Sequence, residues 1–242
     1  MKKIIAFIPA RYASSRFPGK PLAIINGKPM IQWVYEEVLK VEDISEAYVA
    51  TDDTRITECV EGFGGKYILT SDKHKSGSDR IAECITKIEM NDDDIVLNIQ
   101  GDEPMIKTEM IKTLISAFED ASVYMATLKK EIKEKEEIDN PNIAKVITDI
   151  NNDAIYFSRS TIPFDRDGLN NMKYFKHIGV YGYKKKFIEE FTRLENRNLE
   201  NMEQLEQLRV IENGYKIRVI ETEHQSIGVD LPEHIKIIEQ NL

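Results

Sequence analysis

Three cations stand in one short stretch, Ile8-Pro9-Ala10-Arg11-Tyr12-Ala13-Ser14-Ser15-Arg16-Phe17-Pro18-Gly19-Lys20-Pro21-Leu22. Arg11, Arg16 and Lys20 are set among Ser, Gly and Pro, directly after an apolar run from Ile4 to Ile8. A buried strand that stops in such a loop can present backbone N–H groups and fixed positive charge to a polyphosphate. A solvated basic loop is the plainer alternative. A second group, Asn98-Ile99-Gln100-Gly101-Asp102-Glu103-Pro104, places two acids and a glycine at the end of another apolar run. Ligands of open α/β sheets bind beyond the carboxyl ends of the strands. Parallel neighbours would therefore bring Asp102 to the same edge as the basic loop. A carboxylate there suits Mg²⁺, which is typically held by one or two carboxylates plus substrate phosphates; a polar turn is the alternative.

Three further groups read two ways. In Gly228-Val229-Asp230-Leu231-Pro232-Glu233, Asp230 precedes a proline-opened helix with Glu233 three residues on, the pattern of an N-cap with its capping-box partner. In His74-Lys75-Ser76-Gly77-Ser78-Asp79-Arg80, Ser76 or Ser78 could cap a helix, or the loop could offer N–H groups and a hydroxyl to a nucleotide. The last group lies in the second half: Arg159 after a strand, His177 and Tyr181 four apart, and Glu206-Gln207 on an amphipathic pattern. If 176–183 is a strand, His177 and Tyr181 share a face. Glu206 and Gln207 have an ordinary reading as exposed polar positions. Together these side chains could bind a hydroxyl-rich acid.

The elements that must position these groups follow from periodicity. Strands are expected at Lys3–Ile8, Ala47–Thr51, Tyr67–Leu69 and Asp94–Ile99. Between them lie helices: one opened by Pro29 with Met30, Ile31, Trp33, Val34, Val38 and Leu39 on one face, then Arg55–Phe63, Ser78–Met90 and Thr108–Phe118. Alternating βα units imply a mostly parallel sheet. Strands then cluster at Val123–Leu128, Ala144–Asp149 and Ala154–Ser158, the last two joined at the turn Asn151-Asn152-Asp153. Lys129–Glu137 reads as a solvated connection or surface helix. Helices at Phe187–Leu194 and Leu199–Glu212, a strand at Lys216–Glu221 and a helix opened by Pro232 complete the chain. No Gly/Ser-rich linker divides it, so one domain is expected.

Composition narrows the function. The 242 residues carry a net charge of −9, against the basic face that nucleic acid requires. No apolar run reaches the length of a membrane span. The run after Lys2-Lys3 ends at Pro9, too short for a signal peptide's apolar region. Cys59 and Cys84 lack metal-type spacing and read as reduced packing residues, so a cytoplasmic protein is expected. There is no Gly-x-Gly-x-x-Gly after a strand, no Walker-type Gly-Lys-Ser/Thr and no Gly-x-Ser-x-Gly elbow.

Taken in order, the blocks resemble the 3-deoxy-manno-octulosonate (Kdo) cytidylyltransferases, or CMP-Kdo synthetases. The resemblance runs nearly end to end, through Ile8–Leu22, Val49–Asp52, His74–Arg80, Val96–Met105, Lys145–Asp167, His177–Tyr183, Leu205–Arg209 and Gly228–Pro232. Its most specific parts are Tyr156–Asp167 and Leu205–Arg209. The resemblance implies a three-layer α/β/α sandwich around a mainly parallel mixed sheet, like the nucleotide-diphospho-sugar transferases. A nucleotide-binding half (1–128) would be continuous with a sugar-binding and dimerisation half (129–242) in a homodimer. It implies the reaction CTP + Kdo → CMP-Kdo + pyrophosphate, with Mg²⁺, serving lipopolysaccharide assembly. A related sugar acid, 8-amino-Kdo or a nonulosonate, is the alternative acceptor. By position, Arg11 and Lys20 match triphosphate-binding residues with Arg16 assisting, and Pro9, Ala10, Ser76 and Gly77 match the nucleotide side. Asp102 and Asp230 match the metal-binding acids, with Asp230 free to cap as well. Gln100, Arg159, His177, Tyr181, Glu206 and Gln207 match the sugar-acid side, Gln100 also bordering CTP. The chain departs from the family at Ser78-Asp79-Arg80, where Thr/Ser-Glu-Arg is usual, and at Arg197-Asn198, where Ser/Thr-Pro is usual. Its segment between Asp167 and His177 is also short.

Overall fold

The first strand, β1 (Ile4–Pro9), is apolar on both sides, and both sides are covered. Ile5 and Phe7 pack into one buried cluster, Ala6 and Ile8 into another. That is the signature of a parallel strand with helices on both faces. The structure is a computed structural model describing residues 2–14, 16–74, 76–168 and 172–241; Ser15 of the basic loop and Lys75 lie outside them. After β1 come β2 (Ile24–Ile25), β3 (Lys28–Pro29), α1 (Met30–Leu39), β4 (Glu46–Thr51), α2 (Thr54–Gly62), β5 (Tyr67–Leu69), α3 (Gly77–Ile85), β6 (Ile95–Asn98) and α4 (Thr108–Ser116). The second half contains β7 (Met125–Ile132), α5 (Lys135–Asp139), β8 (Lys145–Thr148), β9 (Ala154–Ser158), β10 (Tyr174–Lys184) and α6 (Lys185–Phe191). It ends with α7 (Asn198–Glu203), α8 (Leu208–Glu212), β11 (Arg218–Glu221) and α9 (His234–Glu239).

The main sheet runs β11-β7-β10-β6-β1-β4-β5, with the β8–β9 hairpin attached to β10. β10 is antiparallel to both β6 and β7; the other pairings along this path are parallel. α1, α2 and α4 supply Ile31, Val34, Ile56, Val60 and Leu114 to one face. α3, α6 and α8 supply Ile81, Phe187, Phe191 and Leu208 to the other. The three-layer sandwich with a mainly parallel sheet is thus as expected.

Several local expectations are corrected. Lys129–Glu137 is not a solvated connection throughout, because β7 continues to Ile132. Lys129 is buried within the sheet, donating to Thr148 Oγ1 at 2.8 Å over the Phe175 ring. The helix expected over Leu199–Glu212 breaks at Gln204, whose φ of 53° lies in the left-handed region. The helix expected over Ser78–Met90 ends at Ile85. Leu39, placed on the inner face of α1, is exposed. Asp230 does not cap α9: its N-cap is Glu233, with no side-chain cap bond, and the Asp230 carboxylate turns to Arg16 instead.

The parallel pairing of β1 with β6 sets Phe7 opposite Asn98, so both strands end at one edge. Their following loops must then pass very close. A Cβ built on Gly101 would lie 2.8 Å from the Pro9 carbonyl oxygen and 3.2 Å from Ile31 Cδ1. Gly101→Ala is therefore expected to destabilise the fold by about 1–3 kcal/mol, the usual cost of overpacking. Urea unfolding measures this; an unchanged midpoint would show that the two loops can part freely.

Candidate active site

At that edge the loops enclose a cavity of about 310 Å³. The nucleotide-side residues singled out from the sequence all line it: Pro9, Ala10, Arg11, Arg16 and Lys20 from the loop after β1, Ser76 and Gly77 from the start of α3, and Gln100 after β6. Asp102 and Asp230 line it as well. β1 ends at Pro9, directly after buried Ile8, which fixes where the basic loop begins. Gly19, at φ 72°, turns the chain into a 3₁₀ turn at Lys20–Leu22. α3 brings its N-terminus to the cavity with Gly77 packed beside the Pro9 ring; a Cβ there would sit 3.4 Å from it, in ordinary contact. Ser76 caps α3 by accepting from the Asp79 N–H at 3.1 Å, so the capping reading of this residue holds alongside its place in the cavity.

Charge is concentrated on the cavity floor. Lys20 Nζ donates to Asp102 Oδ2 at 2.5 Å and to the Val229 carbonyl at 2.8 Å, and lies 3.9 Å from Asp230 Oδ1. Arg16 Nη2 donates to the same Asp230 oxygen at 3.0 Å. Arg11 is exposed at the rim and makes no ion pair among the described residues. Two carboxylates gathered round one ammonium are a hard-oxygen donor pair, the type that Mg²⁺ accepts when substrate phosphates and water complete its shell. The residues present fit that ion.

The sugar-side residues do not line this cavity, apart from Gln100. Four of them cluster beside it. Tyr181 is paired with Asn98, whose Oδ1 accepts from Gln100 Nε2 at 3.1 Å. The Tyr181 hydroxyl donates to Gln207 Oε1 at 3.2 Å, and Gln207 Nε2 is 3.5 Å from His177 Nδ1. The rings of His177 and Tyr181 lie 5.5 Å apart on one face, as expected of a strand. A bulge in β10 takes up Gly179 and Val180, two residues, so the alternation survives. Glu206 joins the group from the other side, accepting from Ser78 Oγ of α3 at 3.0 Å. Neither Glu206 nor Gln207 is the exposed helical position the sequence suggests. Both lie in the turn between α7 and α8, and Gln207 is 3% exposed. Arg159 stands apart: among the described residues no hydrogen bond or ion pair joins it to His177, Tyr181 or Gln207.

Burial sets the protonation of these groups. It pushes His177 down to about 3, so the imidazole is neutral and offers a donor and an acceptor. It pushes the Tyr181 hydroxyl well up and raises Glu206, whose Oε1 has no hydrogen-bond partner among the described residues. Three residues were not assigned a role from sequence. Burial, with the Asp102 and Asp230 charges adding to it, pushes Glu103 up to about 7. Arg80, 4% exposed, lines the cavity with its guanidinium between Thr70 Oγ1 at 2.5 Å and Asp52 Oδ2 at 3.3 Å. His74 lines it 2.5 Å from Glu83; burial raises that carboxyl, but the bonds from Lys87, the Ser71 N–H and His74 outweigh this and hold it at about 2. Arg80 and Asp52 do fall in blocks that carried the resemblance, but only the fold shows that they meet.

Comparison with known proteins gives the family. A family model described as cytidylyltransferase matches residues 5–217. The chain is 53% identical over 236 residues to a 3-deoxy-manno-octulosonate cytidylyltransferase of Syntrophus aciditrophicus, covering 97% of this chain and 95% of the relative. It is 50% identical over 241 residues to an 8-amino-3,8-dideoxy-manno-octulosonate cytidylyltransferase of Shewanella baltica, covering 99% and 98%. Among solved structures, a CMP:2-keto-3-deoxy-manno-octonic acid synthetase complexed with CTP matches with a TM-score of 0.94 and 42% identity, over 99% and 98% of the two chains. A 4-diphosphocytidyl-2C-methyl-D-erythritol synthase of Anaerococcus prevotii, 17% identical with a TM-score of 0.65 over 99% and 96%, shares the fold alone. With a matching family model over most of its length and relatives at about half identity end to end, this chain belongs to the cytidylyltransferase family, and is a nucleotidyltransferase.

Proposed function

We propose that this chain transfers CMP from CTP to the anomeric 2-hydroxyl of Kdo, releasing pyrophosphate. The observation that carries the reading is the cavity floor, where Asp102 and Asp230 both lie within ion-pair reach of Lys20 beneath the basic loop. Relatives named for Kdo, at 53% and 52% identity, support that acceptor; the 8-amino relatives at 50% support the alternative.

The acceptor oxygen bonds to the α-phosphorus in line as the bond to the bridging oxygen of pyrophosphate breaks. Arg11 and Lys20 stabilise the charge that develops on the leaving pyrophosphate, with Arg16 assisting. Ser76 and Gly77 face the nucleotide from the start of α3, where unpaired N–H groups favour anionic oxygens. Asp102 and Asp230 would hold Mg²⁺, which when bound lowers the pKa of the attacking hydroxyl and neutralises phosphate charge. On the acceptor side, neutral His177, Tyr181, Gln207 and Gln100 offer hydrogen bonds to sugar hydroxyls. Glu206 adds an acceptor, and Arg159 supplies the cation for the sugar carboxylate. The rate gain comes from positioning and electrostatics, without a covalent intermediate. The same reading makes the protein a cytoplasmic homodimer. No described helix is long and apolar enough to cross a membrane.

Pyrophosphate release from CTP, measured with Kdo, 8-amino-Kdo and a nonulosonate in turn, tests the acceptor. Kdo is expected to give the highest kcat/KM, and a higher value for either other acid would reassign it. Asp102→Asn should fold normally yet release almost no pyrophosphate in Mg²⁺; near-normal turnover would remove Asp102 from the metal site. Lys20→Ala should lower kcat by about 10²-fold or more, the scale of losing a preorganised charge. His177 makes a separate pH prediction. Its folded pKa, near 3, lies below the ordinary 6.5, so the unfolded chain binds the extra proton. Stability therefore falls as pH drops from about 6.5 towards 3. Chemical unfolding of His177→Gln should show a shallower loss across that window; an identical pH dependence would mean that His177 titrates freely.

A further inference from the structure

Arg159 is the first residue beyond β9, where a chain leaving a hairpin is ordinarily least restrained. Here both of its backbone groups are held by charged side chains of opposite sign. Its N–H donates to Glu203 Oε2 at 2.9 Å, and its carbonyl accepts from Lys145 Nζ at 2.6 Å. Lys145 is fully buried and spends its other donors on the carbonyls of Asn140, at 2.9 Å, and Ile143, at 2.7 Å. Among the described residues it pairs with no carboxylate. The other Glu203 oxygen accepts from Ser158 Oγ at 2.6 Å.

The Arg159 side chain is held as firmly, but by neutral groups. Its Nε donates to the Glu203 carbonyl at 2.7 Å, and its Nη1 to the Pro141 carbonyl at 3.1 Å. Glu203 is the last residue of α7, so its carbonyl is free of the helix ladder. Two of five guanidinium donors are used, on carbonyls only, and the guanidinium makes no ion pair among the described residues. Its charge is fixed in place but not neutralised by an ion pair among the described residues. The loop that Lys145 anchors also holds His177, whose N–H donates to the Ala144 carbonyl at 2.8 Å.

We propose that Lys145 and Glu203 are positioning residues that grip the Arg159 backbone from both sides and aim its uncompensated guanidinium at the acceptor carboxylate. This rests on the reading of Arg159 as an acceptor contact. Three variants of Glu203 test it, with KM measured separately for the sugar acid and for CTP. Glu203→Ala is expected to raise the acceptor KM about tenfold or more, the scale of losing a charge-assisted hydrogen bond, with the CTP KM essentially unchanged. Glu203→Gln, which still accepts from the Arg159 N–H, is expected to restore most of the loss. Glu203→Asp keeps the charge but draws it back, and should raise the acceptor KM several-fold; it carries the test if the alanine variant does not fold. An acceptor KM unchanged in the alanine or aspartate variant, or both KM values rising together, overturns the proposal. Arg159→Ala is measured in parallel. A raised acceptor KM there with none in the Glu203 variants refutes the clamp alone, whereas an unchanged acceptor KM refutes the role of Arg159 itself.

Discussion

The ammonium of Lys20 ties together three segments that are far apart in sequence. It reaches Asp102 at 2.5 Å, the Val229 carbonyl at 2.8 Å and Asp230 at 3.9 Å, joining the loop after β1, the loop after β6 and the segment before α9. A charge this enclosed, with 14% of its side chain exposed, would be costly without partners. Asp102 and Asp230 lower that cost, and in doing so they are drawn to one place. The electrostatics that folds the cavity floor thus also assembles its carboxylate pair. The backbone reinforces the arrangement, because the Val229 N–H donates to the Asp102 carbonyl at 2.8 Å. The two acids are held by the chain as well as by their charges.

The cluster of His177, Tyr181, Glu206 and Gln207 is built on the opposite principle. Its groups are half-buried to buried and mostly neutral, and desolvation keeps them so. His177 packs T-shaped against Phe157 and tilted against Tyr181, while Thr127 Oγ1 lies 3.0 Å from its Nε2. Thr127 Oγ1 is also within bonding distance of two carbonyls of the β10 bulge, Ile178 at 3.1 Å and Val180 at 2.8 Å. Hydroxyl-rich molecules are discriminated best by buried polar groups that would be left unpaired by a wrong partner. The cavity floor concentrates charge, whereas this cluster offers directed hydrogen-bonding groups, and the two come from different elements on adjoining parts of one sheet edge.

Sequence reading brought the residues that line the cavity together, because their signals are local. An apolar strand ending in Arg, Gly and Lys, or in Gly-Asp-Glu, declares a loop at a sheet edge, and parallel βα units put those edges together. It also anticipated the layers, since helical and strand periodicities are properties of short windows. It failed where tertiary packing overrode local preference. Gln204 breaks an otherwise continuous helical pattern by adopting φ 53°, which turns Glu206 and Gln207 inward; nothing in the local periodicity announces it. Lys129 looked like part of a charged surface run, but the sheet claims it because β7 is needed between β10 and β11. Asp230 satisfied every local rule for an N-cap, yet two cations from a loop more than two hundred residues earlier hold it instead. Long-range charge outweighs a single cap whose alternative partner is water.

The reversed strand explains why the cavity and the His177–Tyr181 cluster meet at all. In a wholly parallel sheet each strand ends near the ligand edge and contributes chiefly its following loop. β10 runs the other way and is 11 residues long, while its neighbour β6 has only four. The register places Lys184 beside Ile95 and Tyr181 beside Asn98, the last residue of β6. The residues from Tyr174 to Val180 therefore extend past the end of β6, over the edge where the basic loop and Asp102 lie. β7, longer than β6, pairs along that overhang and keeps it in the sheet. His177 and Tyr181 are thus carried towards the crevice on hydrogen-bonded strand, with less freedom than a loop would allow. One antiparallel strand in a parallel sheet gives the site a rigid second wall, and a reaction whose rate depends on in-line placement requires that rigidity.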